Sequence, residues 1–168
     1  MKLEEHNDLH PPKYAILSHR WYSVSEEVSF HDVQSGAHLS AKRGWHKLWN
    51  FCQLAFSMGF QYAWSDVCCI NKDSTTELMT ALNSMYRWYA ESKLCIAFLH
   101  DVNPRAKAPL ERSEWFKRGW TLQELIAPKE IRFYDGDWHF LGTKSDLLDL
   151  LSQITGVKTT ILTHVHDL

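Results

Sequence analysis

The sequence predicts an α/β fold built on a parallel sheet of four to five strands with helices on both faces. Three observations predict it. Tyr62 to Ile70 is apolar and β-favouring without clean alternation, which suits a strand covered on both faces. Leu78, Ala81, Leu82, Met85, Trp88 and Tyr89 then recur at helical spacing, so that one stripe of a helix faces a core. Leu94, Ile96, Ala97, Phe98 and Leu99 form a second short apolar run, and a strand, helix, strand order implies a right-handed parallel crossover.

Residues 1–12 end in Pro11-Pro12 and form an extended lead-in, leaving 13–168 as a single domain. Tyr14 to Leu17 is a short buried strand followed by the polar and aromatic cluster Ser18, His19, Arg20 and Trp21. Ser23 to Val33 reads as a short helix or a lid. Ser40 is a plausible N-cap for a helix whose apolar stripe is Trp45, Leu48, Trp49, Cys52, Ala55 and Phe56, with Gly59 as its C-terminal cap. Beyond Pro104 and Pro109, a helix is expected over Glu114 to Ala127, ended by Pro128. Ile131–Tyr134 and His139–Leu141 read as two strands joined by Asp135-Gly136-Asp137. Leu147 to Ile154 is a last helix closed by Gly156, and the tail after it has no clear pattern.

Composition narrows the function classes. Net charge is −2 and the Lys and Arg residues are scattered, so the electrostatic footprint of a nucleic-acid binder is missing. No apolar stretch is long enough to span a bilayer, and the polar, acidic start does not read as a secretory signal, so the expected location is cytoplasmic. Cys52, Cys68, Cys69 and Cys95 stand in apolar patterns without a CxxC pair and read as buried thiols. Among the ten histidines, His164 and His166 are spaced as H-x-H, but they lie at the chain end without a nearby Cys or carboxylate cluster, so no metal is expected. Neither a Walker loop nor a GxGxxG is present.

Several residues have a structural and a functional reading side by side. Ser74-Thr75-Thr76-Glu77 fits a capping box, in which Glu77 bonds back to the Ser74 amide; equally, Glu77 could project from the rim of the sheet, where open α/β folds place ligands. Thr121-x-x-Glu124 carries the same ambiguity. Ser18 to Trp21 stands directly after a strand, at the same kind of rim; its ordinary reading is a loop with Arg stacked on Trp. Asp66, an acid in an apolar run, calls for a partner such as Arg20 or Arg118. The basic cluster at Arg112, Lys117 and Arg118 is interleaved with acids and reads as a solvated face. Trp64 and Ile70 are expected to be buried.

Four ordered segments, YAILSHRW at 14–21, the Gly44–Trp64 run ending GFQYAW, DVCCINK with Glu77 and MYRWY between Asp66 and Tyr89, and WFKRGWTLQELIAP at 115–128, resemble the fungal heterokaryon incompatibility (HET) domain. The resemblance covers most of residues 13–157. It departs from the family pattern at Tyr22, Ser65 and Asn71, where Gly, an aliphatic residue and Asp are usual, and the chain is expected to stop short of segments that often follow.

The resemblance implies an effector of fungal non-self recognition and programmed cell death. The family is regarded as distantly TIR-like, which implies a flavodoxin-like sheet and an NAD hydrolase, with NAD or a related dinucleotide as substrate and no permanently bound cofactor. TIR enzymes use a glutamate on the helix after the third strand, and Asp66 with Glu77 is expected in that stretch, making Glu77 the catalytic carboxylate. Ser18, His19, Arg20, Trp21, Asp66, Trp88, Arg118, Trp120 and Glu124 would then form the substrate-binding set, with Arg20 on a phosphate and Trp21 or Trp88 stacked on a ring. Activity would depend on self-association and on an upstream receptor or NTPase partner. The alternative is a non-enzymatic adaptor that works by self-association, marked by an exposed apolar patch.

Overall fold

A computed structural model describes residues 1–7, 10–36, 39–103, 105 and 109–163. The chain builds one five-stranded, mostly parallel sheet flanked by helices, in the order β2-β1-β3-β4-β5. The strands are β1 (Tyr14–His19), β2 (Tyr62–Trp64), β3 (Leu94–Phe98), β4 (Ile131–Tyr134) and β5 (Phe140–Thr143). This is the doubly wound order of flavodoxin-like sheets, in which the strand order reverses at β1. The helices are α1 (Phe30–Ser35), α2 (Arg43–Ser57), α3 (Thr75–Glu91), α4 (Thr121–Ile126), α5 (Leu148–Thr155) and α6 (Thr159–Thr163). The expected α/β class is thus realised, with one addition: β5 runs antiparallel to β4.

Two compact units divide the chain: Met1–Leu17 with Trp21–Met85, and Ser18–Arg20 with Tyr86–Leu168. In the first, β1 pairs with β2 in parallel through Tyr14↔Tyr62, Ala15↔Ala63 and Ile16↔Trp64. The sequence pattern overstated β2. It is three residues long, stands at the sheet edge and is half-buried throughout, Trp64 included, whereas Ile70 is buried as expected. From Ser65 the chain turns, its carbonyl accepting from the amides of Cys68 (3.3 Å) and Cys69 (2.8 Å), so the apolar run from Val67 to Ile70 is a packed turn rather than a strand.

Helix α2 also differs from its predicted face. The buried positions are Gly44, Lys47, Leu48, Phe51 and Ala55, while Trp49 and Phe56 are exposed. A lysine inside the buried stripe hid the true face from a hydrophobic pattern. Ser40 does not cap this helix; it lies in a 3₁₀ turn, Leu39–Ala41, and Lys42 holds the N-cap position. Gly59 ends the helix as expected, at φ +88, with the Phe60 amide reaching back to the Ala55 carbonyl (3.1 Å) in a Schellman pattern. The Ser23–Val33 segment resolves into a loop and α1, capped reciprocally by Ser29 and Asp32.

In the second unit, β3 pairs with β4 in parallel and β4 with β5 as the expected hairpin. All of β3 is buried. The expected long helix at Glu114–Ala127 is broken: a 3₁₀ turn, Glu114–Lys117, is followed by the six-residue α4. Gly156 closes α5 as expected, and within the patternless tail Thr159–Thr163 forms α6. Among the described residues, no helix is long and apolar enough to cross a membrane.

Cys95, the second residue of β3, is fully buried, and burial above all, with the nearby Glu124 charge, pushes its thiol well above its usual pKa. The folded pKa exceeds the unfolded one, so this group's stabilising effect is complete below the unfolded pKa and fades above it, where the unfolded chain releases its proton first. Folding stability should therefore fall above about pH 8.5, with Cys95 contributing up to ~1.4 kcal/mol per pH unit. Urea unfolding across pH 7.5–10 should show a shallower decline for Cys95→Ala than for the wild type; equal slopes would refute it.

Candidate functional site

Two groups of polar side chains stand out, one in each unit. In the second unit, β1 ends in Ser18 and His19, both buried, and Arg20 follows it, exposed. Ser18 Oγ donates to Glu124 Oε2 at 2.5 Å and accepts from Trp115 Nε1 at 2.8 Å. Arg118 places both guanidinium nitrogens on Glu124, each at 2.9 Å, in a bidentate charge-assisted pair. Glu124 has 3% of its side chain exposed and Arg118 19%.

This geometry decides between the two readings of Glu124. Its carboxylate goes to Ser18 and Arg118, not back to the start of its helix. Thr121, taken as a capping residue in the sequence, lies inside α4 and donates its hydroxyl to the Trp115 carbonyl. The break at Arg118–Trp120 is what lets Arg118 fold back on Glu124 six positions later. Arg118, expected on a solvated basic face, is mostly buried. Arg20 lies 3.9 Å from Glu114, an exposed pair of little energetic consequence. Trp120 is 47% exposed and Trp88 half-buried.

The first unit holds the other group. Trp21 donates its indole N–H to Asp66 Oδ2 (2.9 Å), which gives the acid in the apolar run a partner on the first loop. Lys72 donates to the carbonyls of Asp66 (2.7 Å) and Val67 (2.8 Å) and sits 4.8 Å from the Trp21 ring centroid. Burial pulls the Lys72 pKa down against the raising effect of Asp66. Glu77 is exposed. Its amide is capped by Ser74 Oγ (3.3 Å), and its Oε1 accepts from the Asn71 amide (2.8 Å), so half of the capping box is present and the carboxylate serves the loop before it.

Beside Trp21 lies a buried ion pair that hydrophobic patterning passed over. Glu27 accepts from Lys47 and from the Tyr22 amide (2.6 Å), with 6% and 1% of the Glu27 and Lys47 side chains exposed. Arg43 and Lys47 lie 4.2 Å and 4.1 Å from the Tyr22 ring centroid. Glu27 Oε2 has no partner and packs against Gly44, where a Cβ would come within 2.6 Å of it. Only glycine fits there. Burial lowers the Lys47 pKa, opposed by the Glu27 charge. One signal for this pair was present in the sequence: Lys47 occupies a core position one turn from Gly44 and Phe51.

The described residues contain no group of three or more His, Cys, Asp or Glu able to hold a metal. His164 and His166 lie outside the described residues.

Lys47→Met should cost about 3–5 kcal/mol, because Glu27 is left buried without a cation. Adding Glu27→Gln retains an acceptor for the Tyr22 amide and removes the stranded charge, so the double variant should be more stable than Lys47→Met alone. Urea denaturation of the wild type, Lys47→Met, Glu27→Gln and the double variant checks this; simple additivity would show that the pair does not act as a unit.

Comparison with known proteins is consistent with these motifs. Residues 14–110 match the family described as "Heterokaryon incompatibility protein (HET)". The chain is 40% identical over 156 residues to "Vegetative incompatibility protein HET-E-1" of Podospora anserina, an alignment covering 87% of this chain and 11% of that protein. The chain thus spans about a tenth of that relative's length. No solved structure matches. The chain belongs to the heterokaryon incompatibility (HET) family.

Proposed function

We propose that this chain is an effector domain of fungal non-self recognition and programmed cell death, and that it acts as an NAD glycohydrolase cleaving the bond between nicotinamide and ribose. The single observation that carries the enzymatic reading is the Glu124 network at the carboxyl end of β1. A buried carboxylate, gripped by an arginine fork and a serine hydroxyl at the rim of a parallel sheet, is the kind of group that a bond cleavage passing through an oxocarbenium-like centre requires.

The strand count favours a carboxylate other than Glu77. Glu77 stands on the helix after β2, whereas the helix that follows β3 is α4, which carries Glu124. The TIR-like resemblance asks for a glutamate after the third strand, so Glu124 is the preferred catalytic carboxylate and Glu77 the second candidate. Within this reading Arg20 meets a phosphate, and Arg118 and Ser18 hold Glu124 until substrate replaces them. NAD enters as substrate.

The adaptor reading has its own observation. On α2, Trp45, Trp49 and Phe56 recur at helical spacing; Trp49 is 44% and Phe56 71% exposed, and the Trp45 and Trp49 rings are in contact at 5.6 Å. An apolar stripe facing water is what association through a surface helix would use.

Concentrated protein incubated with NAD should release nicotinamide. Glu124→Gln should lower that rate by about a hundredfold or more, since the negative charge is lost from a water-poor site. Glu77→Gln should keep both rate and melting temperature near wild type, because the amide oxygen still accepts from Asn71. Folding of each variant is checked by circular dichroism on the same preparation. Loss of activity in a stable Glu77→Gln with retention in Glu124→Gln would return the role to Glu77, and no release by the wild type at any concentration would favour the adaptor.

A further inference from the structure

The turn between β4 and β5 carries a second carboxylate withdrawn from water. Asp135 follows the last residue of β4 and has 5% of its side chain exposed. Its Oδ1 accepts from the amides of Asp137 and His139, each at 2.9 Å, and its Oδ2 lies 3.2 Å from His139 Nδ1. Two amide donors on one oxygen favour the ionised acid, and an ionised acid can only accept, so the imidazole proton stands on Nδ1 and the lone pair on Nε2. Half of the His139 side chain is exposed; because Nδ1 faces the buried acid, the Nε2 edge is the one turned to water. An imidazole held in that tautomer by a buried carboxylate is the arrangement of a general base.

The turn is fixed from several sides. Trp138 takes a left-handed φ of +64, uncommon for a bulky residue, and its amide donates to the Asp135 carbonyl (3.0 Å), which brings His139 back onto Asp135. The Gly136 amide donates to the Val102 carbonyl (2.9 Å), Asn103 Nδ2 donates to Asp137 Oδ2 (3.1 Å), and the Trp138 ring stacks on Phe98 at 4.4 Å. The segment that follows β3 is thus the mount of this turn. It also supports the Glu124 network: Asp101 accepts from Ser113 Oγ and from the Glu114 amide, both at 2.7 Å, and so holds the 3₁₀ turn whose Trp115 bonds to Ser18. Since β3 and β4 are parallel, Asp101 and Asp135 stand at the same rim of the sheet.

We propose that His139, oriented by Asp135, is the general base of the cleavage, taking the proton of the water that attacks the ribose. This rests on the glycohydrolase reading. In the step, the bond between the anomeric carbon and the nicotinamide nitrogen breaks, its electron pair leaves with nicotinamide, and the water oxygen bonds to the anomeric carbon. The water proton passes to His139 Nε2 and from there to solvent. Glu124 then answers the positive charge that builds on the ribose, and His139 the one that builds on the attacking water. Asp135 is a positioning residue, which acts by fixing the tautomer.

Nicotinamide release from NAD is measured for the wild type, Glu124→Gln, His139→Ala and Asp135→Asn, with and without free imidazole, and melting temperatures are taken on the same preparations. His139→Ala should be slower on the order of a hundredfold, the low end of what a positioned base contributes, with KM near wild type. Added imidazole should recover much of that rate. Asp135→Asn keeps an acceptor for the two amides, but its own N–H meets Nδ1 and moves the ring proton to Nε2, so the rate should fall without responding to imidazole. Rescue separates a base from a ring that merely props the turn, since a loosened turn would not recover with a base in solution. No release by the wild type would remove the glycohydrolase reading and this step together. Release that is lost in Glu124→Gln but unchanged in His139→Ala, or a loss in a stable His139→Ala that imidazole does not restore, would leave that reading standing and overturn the role of His139.

Discussion

The contact on which the second unit depends is the one between Glu124 and its two partners. Ser18 lies 106 positions away in sequence, so its hydroxyl bond to Glu124 joins the end of the first strand to the helix after the third. Arg118 supplies the charge that makes burial of this carboxylate tolerable: removing either member of a buried ion pair strands the other in a medium that solvates it poorly. Trp115 completes the arrangement. Its indole N–H needs an acceptor once buried, and Ser18 is that acceptor while also donating to Glu124. One hydroxyl therefore satisfies a tryptophan and a carboxylate together, and the break in the helix before α4 exists to bring Arg118 onto the same group.

The first unit solves a similar problem with Glu27 and Lys47. Here the pair sits between α2 and the loop after β1, and it carries the Tyr22 amide with it. Gly44 is the geometric condition, because any side chain there would collide with the Glu27 carboxylate and with the carbonyl of Glu26, 2.8 Å from a Cβ. The Gly44 amide bonds to that same carbonyl at 2.8 Å, so the helix start and the loop are in backbone contact. The position of Trp21, one residue before Tyr22, follows from this arrangement and from its own bond to Asp66.

Where burial was carried by apolar residues, the sequence was readable: the strands at Tyr14, Leu94 and Ile131, the helix ends at Gly59 and Gly156, and the β4–β5 hairpin all stand where periodicity and turn chemistry put them. Where burial was carried by charge, it was not. Lys47 made the wet side of α2, with Trp49 and Phe56, look like its core side. The run from Val67 to Ile70 looked like strand because a packed turn and a strand are equally apolar. Of the candidate site residues, Ser18 and Arg118 both bond to Glu124, and Trp21 bonds to Asp66. Spacing alone held no sign of these partnerships, since each depends on contacts distant in sequence or on a helix break that the capping pattern concealed.

The same distinction bears on which glutamate suits chemistry. Glu77 is exposed and spends one oxygen on a neighbouring amide, so its charge is screened by water and weakly felt by anything nearby. Glu124 is withdrawn from water, where a charge acts strongly on a developing cation, but its arginine fork already answers that charge. For Glu124 to stabilise a cation, Arg118 has to yield part of its bidentate contact, and a substrate anion is the group best able to draw a guanidinium away. A phosphate-bearing ligand meets that condition and a neutral one does not. On the proposed enzymatic reading, free Glu124 and bound Arg118 would arise in one event, and the Arg118–Glu124 pair would keep the carboxylate masked until substrate arrives.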